Sequence, residues 1–170
     1  MKRIGLLSDT HSFLDPALLR HFERCDEVWH AGDIGRVAVA DALEDFKPFR
    51  AVYGNIDGQP VRIRYPENLI FETEGLKVLM THIGGYPGRY TARVKALLQR
   101  HKPGLYICGH SHILKVMPDK DLGLLHINPG ACGKEGFHRM RTAIRFVVNE
   151  GRVAQLEVIE LGKRGALSPS

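Results

Sequence analysis

The chain has 170 residues, 44% of them hydrophobic and 25% charged, which is the mixture of an ordinary globular domain and excludes collagen-like and disordered classes. No apolar run approaches the roughly 18 residues that a membrane span requires, and the Met1-Lys2-Arg3 start leads into an apolar stretch that already carries Asp9 and His11, so neither a membrane segment nor a signal peptide is expected. Cys25, Cys108 and Cys132 show no CxxC spacing, which argues against a disulfide framework and for a reducing cytoplasm, and the net charge of +5 is scattered apart from pairs such as Arg62 with Arg64 and Arg139 with Arg141.

Ile4 to Ser8 reads as a short buried strand, followed by a loop with Asp9 and His11 and by helical spacing from Asp15 to Cys25 through Leu18, Leu19 and Phe22. Glu27 to Ala31 is a second strand ending at Gly32-Asp33, and Val37 to Phe46 is a second helix with Leu43 and Phe46 on its apolar side. Phe49 to Tyr53 is a third strand, ending at Gly54-Asn55. Leu69 to Glu72 and Lys77 to Thr81 form a strand pair around Glu74-Gly75, with His82 just beyond. Tyr90 to His101 has helical spacing through Val94, Leu97 and Leu98, punctuated by Pro103-Gly104. Leu105 to Cys108 is a strand that runs into Gly109-His110-Ser111-His112. Ile113 to Met117 with Leu124 to Ile127, and Arg141 to Val148 with Arg152 to Leu161, read as hairpins, and Asn128-Pro129-Gly130 is a turn between them. One domain over 1–162 and a frayed tail over 163–170 are expected. Alternating βα units followed by hairpins predict an α/β fold in which helices cover the faces of two sheets.

Singly, the polar loop motifs are modest. Asp9-Thr10-His11 could lead a helix, Gly32-Asp33 and Gly54-Asn55-Ile56-Asp57-Gly58 are ordinary turn chemistry, and His82 alone would usually be a hydrogen-bonded structural residue. Gly109-His110-Ser111-His112 is more telling, because two imidazoles beside a strand end are costly to bury and well suited to metal. Jointly, five separated segments bring Asp9, His11, Asp33, Asn55, His82, His110 and His112 to predicted strand ends, the edge at which open α/β sheets bind ligands. Oxygen and imidazole donors without thiolate suit Mn²⁺, Fe, Zn²⁺ or Ni²⁺, and seven donors exceed the needs of one tetrahedral ion. Two divalent metal ions, with Mn²⁺ first among them, are the economical expectation.

Asp-x-His, Gly-Asp, Gly-Asn, a lone His, Gly-His-x-His and Asn-Pro-Gly, in this order between Ile4 and Ala131, resemble the calcineurin-like metallophosphoesterase superfamily, and the lack of large insertions resembles its small YfcE-like branch. The resemblance implies a four-layer α/β-β/α sandwich of two mixed β-sheets flanked by helices. It implies one metal held by Asp9, His11, Asp33 and His112, and a second held by Asp33, Asn55, His82 and His110, with Asp33 as the bridge. A shared carboxylate offsets the repulsion of two cations about 3.5–4 Å apart, and such a pair generates a hydroxide for in-line attack on phosphorus near neutral pH. The implied function is hydrolysis of a small-molecule phosphodiester, with no membrane partner, no nucleic acid, and homo-oligomer formation left open.

Two departures from the family pattern concern the leaving group. Many relatives have a His directly after the motif Asn, where this chain has Ile56 and then Asp57, and relatives often have a second His soon after the ligand His, where this chain has Ile83-Gly84-Gly85. Asp57 and His138 are the candidate acids, the latter from the basic stretch Lys134 to Arg141. His30 and His126, close to functional-looking turns, read as structural or supporting residues, and Cys108 as a buried small residue. Two other functions compete. One is a protein-binding scaffold of the same fold, as in the retromer's vacuolar sorting subunit, which resembles this chain in lacking the leaving-group His. The other is a nuclease, for which the chain offers no long basic stripe and no base-stacking array.

Overall fold

The computed structural model describes residues 1–165. In chain order the elements are β1 (Lys2–Leu7), α1 (Pro16–His21), β2 (Glu27–His30), α2 (Val37–Phe46), β3 (Phe49–Ala51), α3 (Gln59–Arg62), β4 (Asn68–Thr73), β5 (Leu76–Thr81) and α4 (Ala92–His101). They are followed by β6 (Leu105–Ile107), β7 (Lys115–Asp119), β8 (Leu124–Asn128), β9 (Met140–Asn149) and β10 (Arg152–Lys163). Two five-stranded sheets result, in the orders β10-β9-β1-β2-β3 and β4-β5-β6-β8-β7. Both are mixed. β1, β2 and β3 run parallel, as do β5, β6 and β8, while the hairpin strands β9, β10, β4 and β7 join antiparallel.

The period-2 pattern of the strands sets the layers. Ile4 and Leu6 of β1, Trp29 of β2, Val78 and Met80 of β5, Leu105 and Ile107 of β6, and Ile144 and Phe146 of β9 form one buried cluster between the sheets. Leu7 and Val28 point the other way and pack with Leu18 of α1 and with Val39, Ala40 and Leu43 of α2. On the far side, Leu79 and Tyr106 pack with Val94 and Leu98 of α4. The arrangement is therefore helix, sheet, sheet, helix, the α/β-β/α sandwich expected of the sequence. Each fully buried Leu or Ile in these layers contributes about 1.5–3 kcal/mol of hydrophobic stabilisation.

The helix expected over Asp15 to Cys25 is shorter. Asp15 caps it by accepting from Ala17 N (2.9 Å), Pro16 suits its first turn, and the chain leaves helical geometry at Phe22, whose ring is buried over Gly5. The Asp15 carboxylate also pairs with the buried Arg141 guanidinium at 2.7 Å, tying the start of α1 to β9. The short helix α3 was not expected, because Gly58 reads with Gly54-Asn55-Ile56-Asp57 as turn chemistry; it caps the helix, and Pro60 suits the first turn. Gly162 and Lys163 continue β10 by pairing with Arg141 and Met140. The part of the expected frayed tail over 166–170 lies outside the described residues.

Candidate metal centre

All seven candidate ligands sit just past the C-terminal ends of parallel strands. Asp9 and His11 follow β1, Asp33 follows β2, Asn55 follows β3, His82 follows β5, and His110 and His112 follow β6. The strands stop here because the backbone turns sharply. Asp9, His11, Asp33, His110 and His112 have φ of 56°, 44°, 58°, 71° and 62°, a left-handed region that costs residues with a Cβ roughly 1–2 kcal/mol each. So many strained non-glycine residues at one sheet rim mark a site held in place by its surroundings. The neighbouring glycines have a steric role. A Cβ on Gly54 would fall on Asp33 Oδ1, and one on Gly109 would meet Ser8 Oγ and Asp9 Oδ2, so the Gly-Asn and Gly-His motifs need glycine for close approach to the carboxylates.

The donors converge as two groups: Asp9, His11 and His112, and Asp33, His82 and His110, each with ligand atoms within 4.8 Å of one another. Asp33 lies between them. Its Oδ2 is 3.4 Å from His11 Nε2 and 3.1 Å from His82 Nε2. Asp9 Oδ1 is 3.1 Å from His112 Nε2 and 3.8 Å from both His11 Nε2 and His82 Nε2. Asn55 Oδ1 is 3.0 Å from His110 Nδ1, which brings the amide oxygen to the second group.

The charge pattern of the centre follows from this crowding. Burial raises the Asp9 carboxyl pKa, but contacts from His11, His112 and Ser8 and the charge of His82 outweigh it and hold the group well below the carboxylate range. Asp33 is likewise pushed up by burial and pulled further down by His11, His82 and the Ile56 amide. The two carboxylates, Asp33 first, raise His11 to about 10. Burial lowers His82, yet Asp33 and Asp9 leave it raised on balance. The two carboxylates thus draw positive charge to the centre, and a cation bound there would neutralise them in place of the His11 proton.

The residues fit divalent metal. His11 Nε2 and His82 Nε2 are buried and have no hydrogen-bond partner among the described residues, although both face carboxylate oxygens. A buried polar atom without a partner costs about 1–3 kcal/mol, and coordination would satisfy both. The opposite ring nitrogens are already assigned. His82 Nδ1 is 2.8 Å from Ala31 O and donates to it, which leaves Nε2 with its lone pair toward the site. His138 Nε2 donates to Gly133 O at 2.8 Å, so its Nδ1 accepts from His112 Nδ1 at 3.3 Å, which again frees His112 Nε2.

A supporting layer surrounds these residues. Ser8 Oγ and the His110 amide both donate to Asp9 Oδ2, at 2.6 and 3.2 Å, and the Ile56 amide donates to Asp33 Oδ1 at 3.0 Å. His30 Nδ1 accepts from Gly32 N at 3.0 Å, its Nε2 donates to Thr10 Oγ1 at 3.0 Å, and Thr10 passes a hydrogen bond to Ile34 O. His30 therefore ties the first metal loop to the second as a neutral ring, and burial lowers its pKa to about 3.

Both candidate acids already have protein partners. Asp57 is buried, and its oxygens accept from the Ile34, Gly35 and Gly54 amides at 3.2, 2.8 and 2.8 Å, so it clamps the loops after β2 and β3. His138 stands behind His112, with both ring nitrogens engaged. Ser8, Thr10 and the clamping role of Asp57 escape sequence reasoning. The one signal available for the first two was their position beside Asp9.

Residues 1–151 match the calcineurin-like phosphoesterase superfamily domain. The chain is 31% identical over 133 residues to a probable metallophosphoesterase of Methanothermobacter thermautotrophicus, covering 75% of this chain and 76% of that one. Among solved structures, an archaeal phosphodiesterase superposes with a TM-score of 0.74 at 23% identity, over 94% of this chain and 99% of its own. Vps29 of Chaetomium thermophilum superposes with 0.73 at 15% identity, over 96% and 100%. With the two-sheet sandwich and the rim of carboxylates and imidazoles, these matches make the chain a member of the calcineurin-like phosphoesterase superfamily.

Proposed function

We propose that this protein is a dinuclear-metal-dependent phosphodiesterase acting on a small-molecule phosphoester in the cytoplasm. The observation that carries the reading is Asp33 Oδ2 standing between His11 Nε2 and His82 Nε2, one imidazole from each donor group. In this reading Asp9, His11, Asp33 and His112 hold one cation, and Asp33, Asn55, His82 and His110 hold the other, Mn²⁺ in first place, with Fe, Zn²⁺ and Ni²⁺ compatible with the same donors. Bound there, the pair supplies neutralising charge for the phosphoryl group and a water acidified enough to attack phosphorus.

The chain's own residues arrange the centre. Asp33 shares its carboxylate across both groups, Asn55 adds a neutral oxygen, and the Ser8 hydroxyl and His110 amide fix the rotamer of Asp9. His138 is a positioning residue, acting through His112. Because the Asp57 oxygens and both ring nitrogens of His138 are engaged by protein partners, turnover should depend steeply on the leaving group, fastest with activated esters such as p-nitrophenyl esters.

Hydrolysis of bis(p-nitrophenyl) phosphate by protein loaded in turn with Mn²⁺, Zn²⁺, Ni²⁺ and Fe tests the reading. Turnover with at least one ion, abolished by chelation and restored by that ion, is expected. Bound metal without turnover across the series would favour the second reading, a protein-binding scaffold. That alternative draws on one specific observation: Ile56, Ile83 and Ile113, each adjacent in sequence to a ligand, are exposed and give the site an apolar rim.

A further inference from the structure

A cavity of about 250 Å³ adjoins the metal centre through His110 and reaches past Ser111 to residues that the site described above does not use. One side is the Gly84-Gly85-Tyr86 turn, and the other carries Ile113 and Lys115. Its size lies below the roughly 300–1,000 Å³ of pockets for drug-sized ligands and suits a single ring system. Its position is fixed relative to the metal ligands, because Asn128 Nδ2 donates to both Gly109 O and Ser111 Oγ at 3.1 Å and so braces the Gly-His-Ser-His loop from the cavity side.

Two features of the wall point to what it takes. His126, on β8, is 1% exposed and lines the cavity, yet its Nδ1 has no hydrogen-bond partner among the described residues. Such a nitrogen is destabilising unless something pairs with it. Burial, then the charge of Lys115, lowers the His126 pKa to about 4, so the ring is neutral near pH 7 and presents one donor and one acceptor nitrogen. The second feature is Tyr86, 40% exposed, with Lys115 Nζ 4.0 Å from its ring centroid. An aromatic face and a cation at the mouth, over an apolar wall with one hydrogen-bonding ring inside, match a flat, polar-edged ring better than an alkyl chain or a second anion.

We propose that this cavity is the subsite for one ester arm of the substrate, and that the arm is a heteroaromatic ring with a hydrogen-bonding edge, as in a nucleoside phosphodiester, held by the Tyr86 ring and His126. The proposal rests on the phosphodiesterase reading of the adjoining centre. Phosphate would lie at the metals beside His110, with the ring directed along the cavity toward β8.

The test uses metal-loaded protein and competitive inhibition of bis(p-nitrophenyl) phosphate hydrolysis by adenosine 5′-monophosphate, phenyl phosphate and methyl phosphate. The nucleotide should inhibit about tenfold more tightly than methyl phosphate, the preference a single stacked ring supplies, with phenyl phosphate between them. Tyr86→Ala and His126→Phe should each reduce that ratio to about threefold or less with metal content unchanged, the second variant keeping ring volume while removing the nitrogen. Equal inhibition by all three ligands, or an undiminished ratio in both variants, would overturn the proposal. If the protein turns over no diester, the phosphodiesterase reading fails separately, and the cavity is then judged by NMR of the Zn²⁺-loaded protein. Saturable shifts of the His126 ring protons with the nucleotide and not with methyl phosphate sustain the subsite, and their absence ends it.

Discussion

At the scale of single residues, the centre separates groups that would hold metal from groups that hold those groups. Asp33→Asn keeps the shape of the side chain and removes the charge shared by His11 and His82, so turnover should fall by about a hundredfold or more while the far-ultraviolet circular dichroism stays native. Wild-type rates in that variant would remove the bridging role. His138→Ala touches no reacting group, but it frees the His112 ring to rotate and change tautomer. Metal affinity, followed by competition with a chromophoric chelator, should weaken about 10–100-fold, the effect typical of losing a partner behind a ligand histidine. An unchanged affinity would mean that His112 is oriented by something else. These supporting roles were hard to read from the sequence. His138 lies 26 positions from His112, and Asp57 lies 22 from Gly35, so no local spacing announces either bond. The positions of the candidate ligands at the strand ends were legible for the opposite reason: each follows a strand ending at Gly or at a short polar run.

At the scale of elements, loops pinned to each other matter more than helices. Asp57→Ala leaves three amide donors in the β2 and β3 loops without their acceptor, and should destabilise the fold by about 3 kcal/mol or more in urea unfolding. A loss below 1 kcal/mol would show that water replaces the carboxylate. His30 makes a second pin with a definite pH signature. Its pKa is about 3 folded against 6.5 unfolded, so below pH 6.5 the unfolded chain takes up a proton that the folded ring refuses. The contribution is complete above about pH 6.5 and is lost as pH falls toward 3, on the order of 5 kcal/mol in total. His30→Gln should flatten that part of the stability profile of the metal-free protein, and an equally steep profile would contradict the assignment. Element identity was legible where the pattern was long and regular: α2 runs from Val37 to Phe46 as its apolar spacing predicts. It failed at α3, four residues between Gly58 and Ile63 in which a proline both starts a helical turn and imitates a loop.

At the scale of the whole molecule, the two sheets contribute unlike halves of the centre. Asp9, His11, Asp33 and Asn55 extend from strands of the first sheet, whereas His82, His110 and His112 extend from the second. The oxygens come from the first half of that division, and the second offers imidazole alone. Binding of a cation should therefore slow amide exchange in β5 and β6 along with β1 and β2, and raise the melting temperature in proportion to the logarithm of metal concentration. Protection confined to one sheet would show that the ion is held by half the ligand set.

The apolar layer of Ile4, Leu6, Trp29, Met80, Ile107 and Ile144 then has a second meaning. It is a spacer between the sheets, so in the proposed centre its thickness would set the gap between the carboxylate bank and the imidazole bank. A bulkier residue inside it would act on bound metals as a shim acts on a caliper, and ion preference would then answer to core volume as well as to the donor atoms.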